Sequence, residues 1–243
     1  MSILGFADWL ETPQGRYLLE AEQVAIDGVV ADVFGYHALQ LGLSGVDFLR
    51  ANRMPFRFRC DPRGAGVSAY AEVDALPFAS ASLDLVALPH VLEFAPRPHH
   101  VLREVDRVLV PDGSVVLSGF NPFSLWGVRR LLAREGSAMP WQGHYRTLMR
   151  IKDWLALLGI EVQAASCVAW APPVRSPQWL ARWRIVDRAG ARWWPICGAV
   201  YVVHGIKRVH GMRLITPQWR ERGARAGRLS ALTQRSGGTR KSE

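Results

Sequence analysis

Cysteine is scarce and scattered. Cys60, Cys167 and Cys197 are the only three, odd in number and with no CxxC pair. That argues against a disulfide framework and a Cys-rich zinc site, and no other metal-ligand spacing stands out. The expectation is three reduced thiols and no metal. Long apolar runs are also missing. The longest, Trp193 to Ile206, covers 14 residues and is interrupted by Pro195, Gly198 and Gly205, whereas a membrane span needs about 20. The first residues, Met-Ser-Ile-Leu-Gly-Phe-Ala-Asp, show neither a basic stretch nor a long apolar one, so a secretory signal is not expected and a cytoplasmic protein is. The G-x-G-x-x-G fingerprint of dinucleotide enzymes is absent as well, which disfavours a dehydrogenase.

Acidic residues are missing from one place in particular. From Lys207 to the end there are ten Lys and Arg against two acids, a local charge of +8, while the preceding 206 residues carry only +1. The stretch 211–243 is rich in Arg, Gly and Ser and poor in large apolar groups, so it reads as a basic disordered tail. Such a tail suits phosphate contacts or plain solvation. The rest is 49% hydrophobic over the whole chain, enough for a proper core.

Apolar periodicity places the elements. Ala7 to Ala25 predicts a helix with Leu10, Tyr17, Leu18, Ala21 and Ala25 inward. His37–Leu43, Pro55–Cys60, Val67–Val73, Leu83–Leu88, Ser114–Gly119, Glu161–Trp170 and Ala199–Ile206 read as strands. Helices are predicted at Val101–Leu109 and at Ile151–Leu158, the latter stopped by Gly159. Pro111-Asp112-Gly113 reads as a turn. Alternating strands and helices imply a parallel sheet with crossovers. The two late strands would pair antiparallel at one edge. Residues 121–146 are too long for a simple loop and predict a helical cap.

One ordered series is more specific. Val73-Asp74-Ala75-Leu76-Pro77-Phe78, then Ser82-Leu83-Asp84-Leu85-Val86, then Leu102-Arg103-Glu104-Val105-Asp106-Arg107-Val108-Leu109-Val110-Pro111-Asp112-Gly113, spans about 50 residues. It resembles the class I S-adenosylmethionine-dependent methyltransferases, type 11 subgroup. The Gly119-Phe120-Asn121-Pro122 run looks like a proteobacterial branch of that family. The resemblance implies an α/β fold: a Rossmann-like, seven-stranded, mostly parallel sheet flanked by helices, with a helical cap after the fifth strand and an antiparallel edge strand. It implies a methyltransferase domain over 31–210, a helical lid segment over 1–30 and a cap insertion over 121–146. It also implies S-adenosylmethionine as cofactor. Asp74 would accept from the adenine amino group, with Ala75 and Leu76 lining the ring. Asp84 would be structural and near the cofactor. His90 would follow the fourth strand, beside the methionine part or the acceptor.

The first loop departs from the family's D-x-G-x-G-x-G. In Leu39-Gln40-Leu41-Gly42-Leu43-Ser44-Gly45 only Gly42 and Gly45 remain, and Gln40 stands in place of the acid. A second register, Asp32-Val33-Phe34-Gly35-Tyr36, keeps an acid. Asp61, 19 residues after Gly42, is the match for the acid that grips ribose hydroxyls, with Asp47 as rival in the second register. Asn121-Pro122-Phe123 lies after the fifth strand rather than the fourth, so it is not the N-P-P-Y signature of amino-group methylation.

The functional expectation is therefore methyl transfer, with a small-molecule acceptor favoured. Because the sulfonium donor is already activated, positioning matters more than a conspicuous dyad. His90, Asn121, His144 and Tyr145 are the acceptor-side candidates. Two alternatives stand beside this: a cofactor-free binding protein on the same scaffold, and an RNA or DNA methyltransferase using the basic tail.

Overall fold

The uncharged runs become the centre of a sheet. In the computed structural model, which describes residues 4–63, 66–133, 139–174 and 176–209, the strands are β1 (His37–Leu41), β2 (Phe56–Cys60), β3 (Leu83–Pro89), β4 (Leu109–Phe120), β5 (Ile160–Val168) and β6 (Val200–Lys207). Their order is β2-β1-β3-β4-β6-β5. The first four are parallel, and β6 runs antiparallel to both β4 and β5. β1, β3 and the second half of β4 are buried almost throughout, as expected of strands covered on both faces.

Successive side chains divide between two cores. Ala38, Leu85, Ala87, Val116 and Val202 point to one, shared with α1 (Leu4–Leu10) and α2 (Pro13–Val30). Leu39, Val86, Leu88, Val115 and Val203 point to the other, under α4 (Pro98–Val108) and α6 (Leu148–Leu157). The remaining helices are α3 (Val91–Phe94), α5 (Leu125–Leu131) and α7 (Pro177–Trp193). The expected single N-terminal helix is two, because Thr12 caps a new one through Gly15 and Pro13 opens it, the usual role of proline in a first turn.

Three expectations about strands need correction. The described residues form six strands, not seven: Val67–Val73 makes only isolated bridges, Cys60 to Ala69 and Glu72 to Ala75. Ser68, Ala69 and Ala71 are too small to bury a strand's worth of apolar area. Pro111-Asp112-Gly113 is not a turn that separates two elements. It lies inside β4 as a bulge, with Asp112 at φ 61°. The third correction concerns the first crossover: residues 42–55 link β1 to β2 with no helix. The basic tail, 211–243, lies outside the described residues.

Asp84 sits at the amino end of β3, away from the carboxyl ends where a cofactor would lie. Its Oδ2 accepts from the amides of Tyr36 and His37 at 2.8 and 2.9 Å and so starts β1 beside β3. It is structural, as expected, but not near the crevice. The same contact places Asp32–Tyr36 at the wrong end of β1 for a cofactor loop, which leaves the Gly42 register. Asp84→Ala is expected to cost about 1–2 kcal/mol for the lost acceptor, measured by urea unfolding, with Asp84→Asn recovering part of it.

Candidate functional site

The loop after β1 is built by an amide. The Gln40 side chain is buried; its Nε2 donates to the carbonyls of Gly42, Leu43 and Val46 at 3.2, 3.1 and 2.8 Å, and its Oε1 accepts from the Phe48 amide at 3.0 Å. A carboxylate in the same place would face three carbonyl oxygens with no proton to offer. That explains the missing acid. Gly42 takes φ +74° while its amide bonds the Cys60 carbonyl of β2 at 2.8 Å, a backbone shape suited to glycine. Gly45 is exposed and faces open space.

A cavity of about 370 Å³ lies at the carboxyl ends of β2 and β3, lined by residues of 61–63, 72–74 and 91–101 and by none of this loop. Its walls include Asp61, Val73, Asp74, Val91, Phe94 and Arg97. Asp61 follows β2, is nearly buried, and accepts from the Arg63 amide at 3.0 Å. Asp74 holds Arg97 at 2.7 Å. The structure thus brings two of the predicted acids, Asp61 and Asp74, to one slot of mixed lining, with Arg63, Glu72 and Arg97 beside Val73, Val91 and Phe94. Its lining is Val73 and Asp74 rather than the predicted Ala75 and Leu76. Ala75 is exposed, and Leu76 packs into the sheet core with its amide donating to Glu104. Asp47 is exposed and accepts from Leu49 nearby in sequence.

A second, buried polar group adjoins the first. His90 ends β3 in a left-handed conformation, φ 54°, and is fully buried. Its Nδ1 lies 3.0 Å from Glu93 and its Nε2 3.3 Å from Glu22 of α2. Glu93 also accepts from the Phe120 amide of β4. Phe6 and Phe120 pack on the His90 ring at 4.9 and 4.7 Å. Tyr145 stacks on Phe120 at 4.8 Å, and its hydroxyl is buried without a hydrogen-bond partner, as is Glu22 Oε1.

Burial by itself lowers the His90 imidazolium, but Glu22 and Glu93 outweigh it and push the group up to about 10. Burial pushes the Glu93 carboxyl up, against the pull of His90. Burial and the Glu93 charge hold the Tyr145 phenol protonated well above its usual range. At neutral pH His90 is therefore a cation clamped by Glu22 and Glu93, with no lone pair to act as a base.

Two predicted candidates lie outside this group. Asn121 spends its side chain on structure: Nδ2 donates to the Ile196 and Gly198 carbonyls at 2.6 and 3.0 Å, and Oδ1 accepts from Phe123. His144 is exposed and touches the group only through its amide, which donates to the Glu93 carbonyl at 3.0 Å. Glu22 and Glu93 were not foreseen. Glu93 had a faint signal, a carboxylate three residues after His90; Glu22 had only its place on the buried side of a helix. Among the described residues no cluster of His, Cys, Asp and Glu could hold a metal ion. No described helix is long and apolar enough to cross a membrane.

The comparisons fit this geometry. Residues 43–117 match the family model of a methyltransferase domain. The chain is 36% identical over 159 residues to the uncharacterized protein YafS of Escherichia coli, covering 65% of this chain and 66% of that protein. It is 30% identical over 176 residues to the uncharacterized protein Rv2003c of Mycobacterium tuberculosis, covering 68% and 60%. It thus spans a little under two thirds of either relative. In fold it is similar to a Haloferax volcanii methyltransferase seen in complex with a methyltransferase activator, with a TM-score of 0.60 at 14% identity over 87% of this chain and 99% of that one. It is also similar to an S-adenosylmethionine-dependent methyltransferase of Thermotoga maritima, with a TM-score of 0.57 at 15% identity over 75% and 87%.

Two outcomes are expected. Gln40→Ala should cost about 2–4 kcal/mol, because buried carbonyls and an amide lose their partners, as read by chemical denaturation. The buried histidine sets a pH dependence. A folded-state value above the usual 6.5 means that the native state keeps a proton which the unfolded state releases. The stabilisation is then complete below pH 6.5 and is lost as pH rises toward about 10. The raised Glu93 acts in the same direction. Melting temperature should fall across that window, and more steeply for the wild type than for His90→Gln. Parallel slopes would show that the cluster is not the source.

Proposed function

We propose, for a chain that carries a class I, type 11 methyltransferase domain, that it transfers a methyl group from S-adenosylmethionine to a small-molecule acceptor. The observation that carries this is the slot at the carboxyl ends of β2 and β3, where Asp61 and Asp74 stand on apolar walls of Val73, Val91 and Phe94. A nucleoside needs that combination: flat apolar surfaces for the base, one acceptor for its amino group and a carboxylate for the ribose hydroxyls. The residues present fit the cofactor. Asp74 would accept from the adenine amino group, Asp61 would hold the ribose, and the Gly42–Gly45 loop would lie along the remainder. When bound, the cofactor supplies an electrophilic methyl group on a sulfonium sulfur.

The chain's own contribution on the acceptor side falls to Glu22 and Tyr145 rather than to His90. Glu22 Oε1 has a free lone pair and can accept the proton that an acceptor sheds. The Tyr145 hydroxyl stays protonated and can donate. His90 holds both carboxylates in place as a positioning residue. α1 and α2 act as a lid, since Phe6 and Glu22 cover His90. An acceptor then enters when these helices shift, and water is excluded when they return. A cytoplasmic location goes with this reading, and the basic composition of 211–243 suits nucleic-acid contacts that methyl transfer to a small molecule does not require.

Calorimetric titration with S-adenosylhomocysteine tests this directly. Micromolar binding is expected for the wild type. Asp61→Ala and Asp74→Ala should each weaken it about tenfold, one buried hydrogen bond apiece, with melting of the apo protein nearly unchanged. Absence of binding up to millimolar ligand would turn the assignment toward the scaffold alternative. Intact binding with a much lower melting temperature in Asp74→Ala would make Asp74 a turn cap.

A further inference from the structure

α5 is inverted relative to an ordinary surface helix. Trp126 is its buried anchor, with Nε1 donating to the Ala171 carbonyl at 2.8 Å. Gly127 lies so close under Pro122 that a Cβ there would meet its carbonyl oxygen at 2.0 Å. The helix is therefore pinned by one short face. Leu125, Val128 and the C-capping Leu132, at i, i+3 and i+7, are left more than half exposed on the other.

A second exposed strip adjoins it. β4 leaves the sheet beside the point where β6 enters, with Phe120 paired to Val200. Asn121 ties the two loops together through the Ile196 and Gly198 carbonyls. Trp194 and Ile196 on the second loop are exposed to a similar degree. Exposed apolar side chains thus stand on both of the segments that Asn121 ties together, and exposed apolar surface of this kind marks an interaction site.

Charge selects the partner. Residues 121–133 and 188–209 contain no Asp or Glu, while Arg129 and Arg192 are exposed at the two strips. In a two-fold dimer the patch would meet itself, setting arginines against arginines with no carboxylate among the described residues of the two strips to answer them. An apolar stripe with tryptophan at its margin and arginine beside it is the signature of a protein that lies on an anionic bilayer. We propose that the α5 stripe and the Trp194–Ile196 loop form a peripheral docking surface for anionic lipid membranes. The proposal stands on the patch and does not depend on the methyl-transfer assignment.

Flotation of the full chain with phosphatidylglycerol–phosphatidylcholine vesicles, and with phosphatidylcholine alone, tests it at low and high salt. The wild type is expected to float with the anionic vesicles and to keep part of that binding at high salt, because insertion of apolar side chains is not screened. L125S/L132S/I196S should lower the partition coefficient about tenfold, with melting temperature unchanged. Three results would overturn the proposal. One is wild-type binding by the triple variant at both salts, which would assign the contact to the basic tail. Another is no flotation of either protein. The last is a wild-type dimer in sedimentation that the triple variant dissociates, which would make the patch a contact between copies.

Discussion

The carboxylate of Glu93 ties the ends of β3 and β4 to one another and, through a histidine, to α2. It accepts the Phe120 amide at the end of β4 and holds His90 at the end of β3, and through His90 it reaches Glu22 on α2. A buried charge is costly unless it is paired and hydrogen-bonded. Here one imidazolium lies between two buried carboxyl groups, so removing His90 takes from both of them the cation they share. The position of the N-terminal helices over the sheet thus has an electrostatic origin as well as a hydrophobic one, the latter supplied by Phe6, Trp9, Leu18 and Ile26.

The cofactor side follows a different logic. The first crossover lacks a helix, so no helix N-terminus follows the Gly42 loop. Gln40 takes over the fixing of that loop by satisfying three carbonyls and an amide with one side chain. This is why the glycine pattern can thin out while the loop keeps a defined shape. Rigidity supplied by a neutral amide also leaves the loop without the negative charge that the family pattern puts there, so Asp61 and Asp74 are the acids that define the slot.

The central strands were legible because their signal is local: Leu83–Leu88 is apolar but for Asp84, Ser114–Gly119 is uncharged, and the antiparallel pair at the edge followed from two late runs. Val67–Val73 misled because alternation of small residues imitates a strand without the area to hold one. The Thr12-Pro13 signal could have split the first helix. Asp61 and Asp74 could be placed from the sequence because they follow a strand or belong to a motif, and both line the cavity. The site was not legible where a role depends on distant partners. Glu22 resembles any helix-surface acid until α2 is laid over His90, 68 residues away. Asn121 reads as a crevice residue until Ile196 arrives to occupy it.

The path of the chain through the sheet has a consequence for how the molecule is made. β5 has no sheet neighbour except β6, and α2 rests on the same two strands. Tyr17 meets Asp187 at 2.6 Å across 170 residues of sequence. During synthesis the parallel strands can assemble as soon as Phe120 has emerged. Phe6 and Trp9 can then meet His90 and Phe120, whereas α2 must wait for β5 and β6 to complete its packing. Contacts of such long range slow folding, so the docking of α2 onto β5 and β6 completes the assembly.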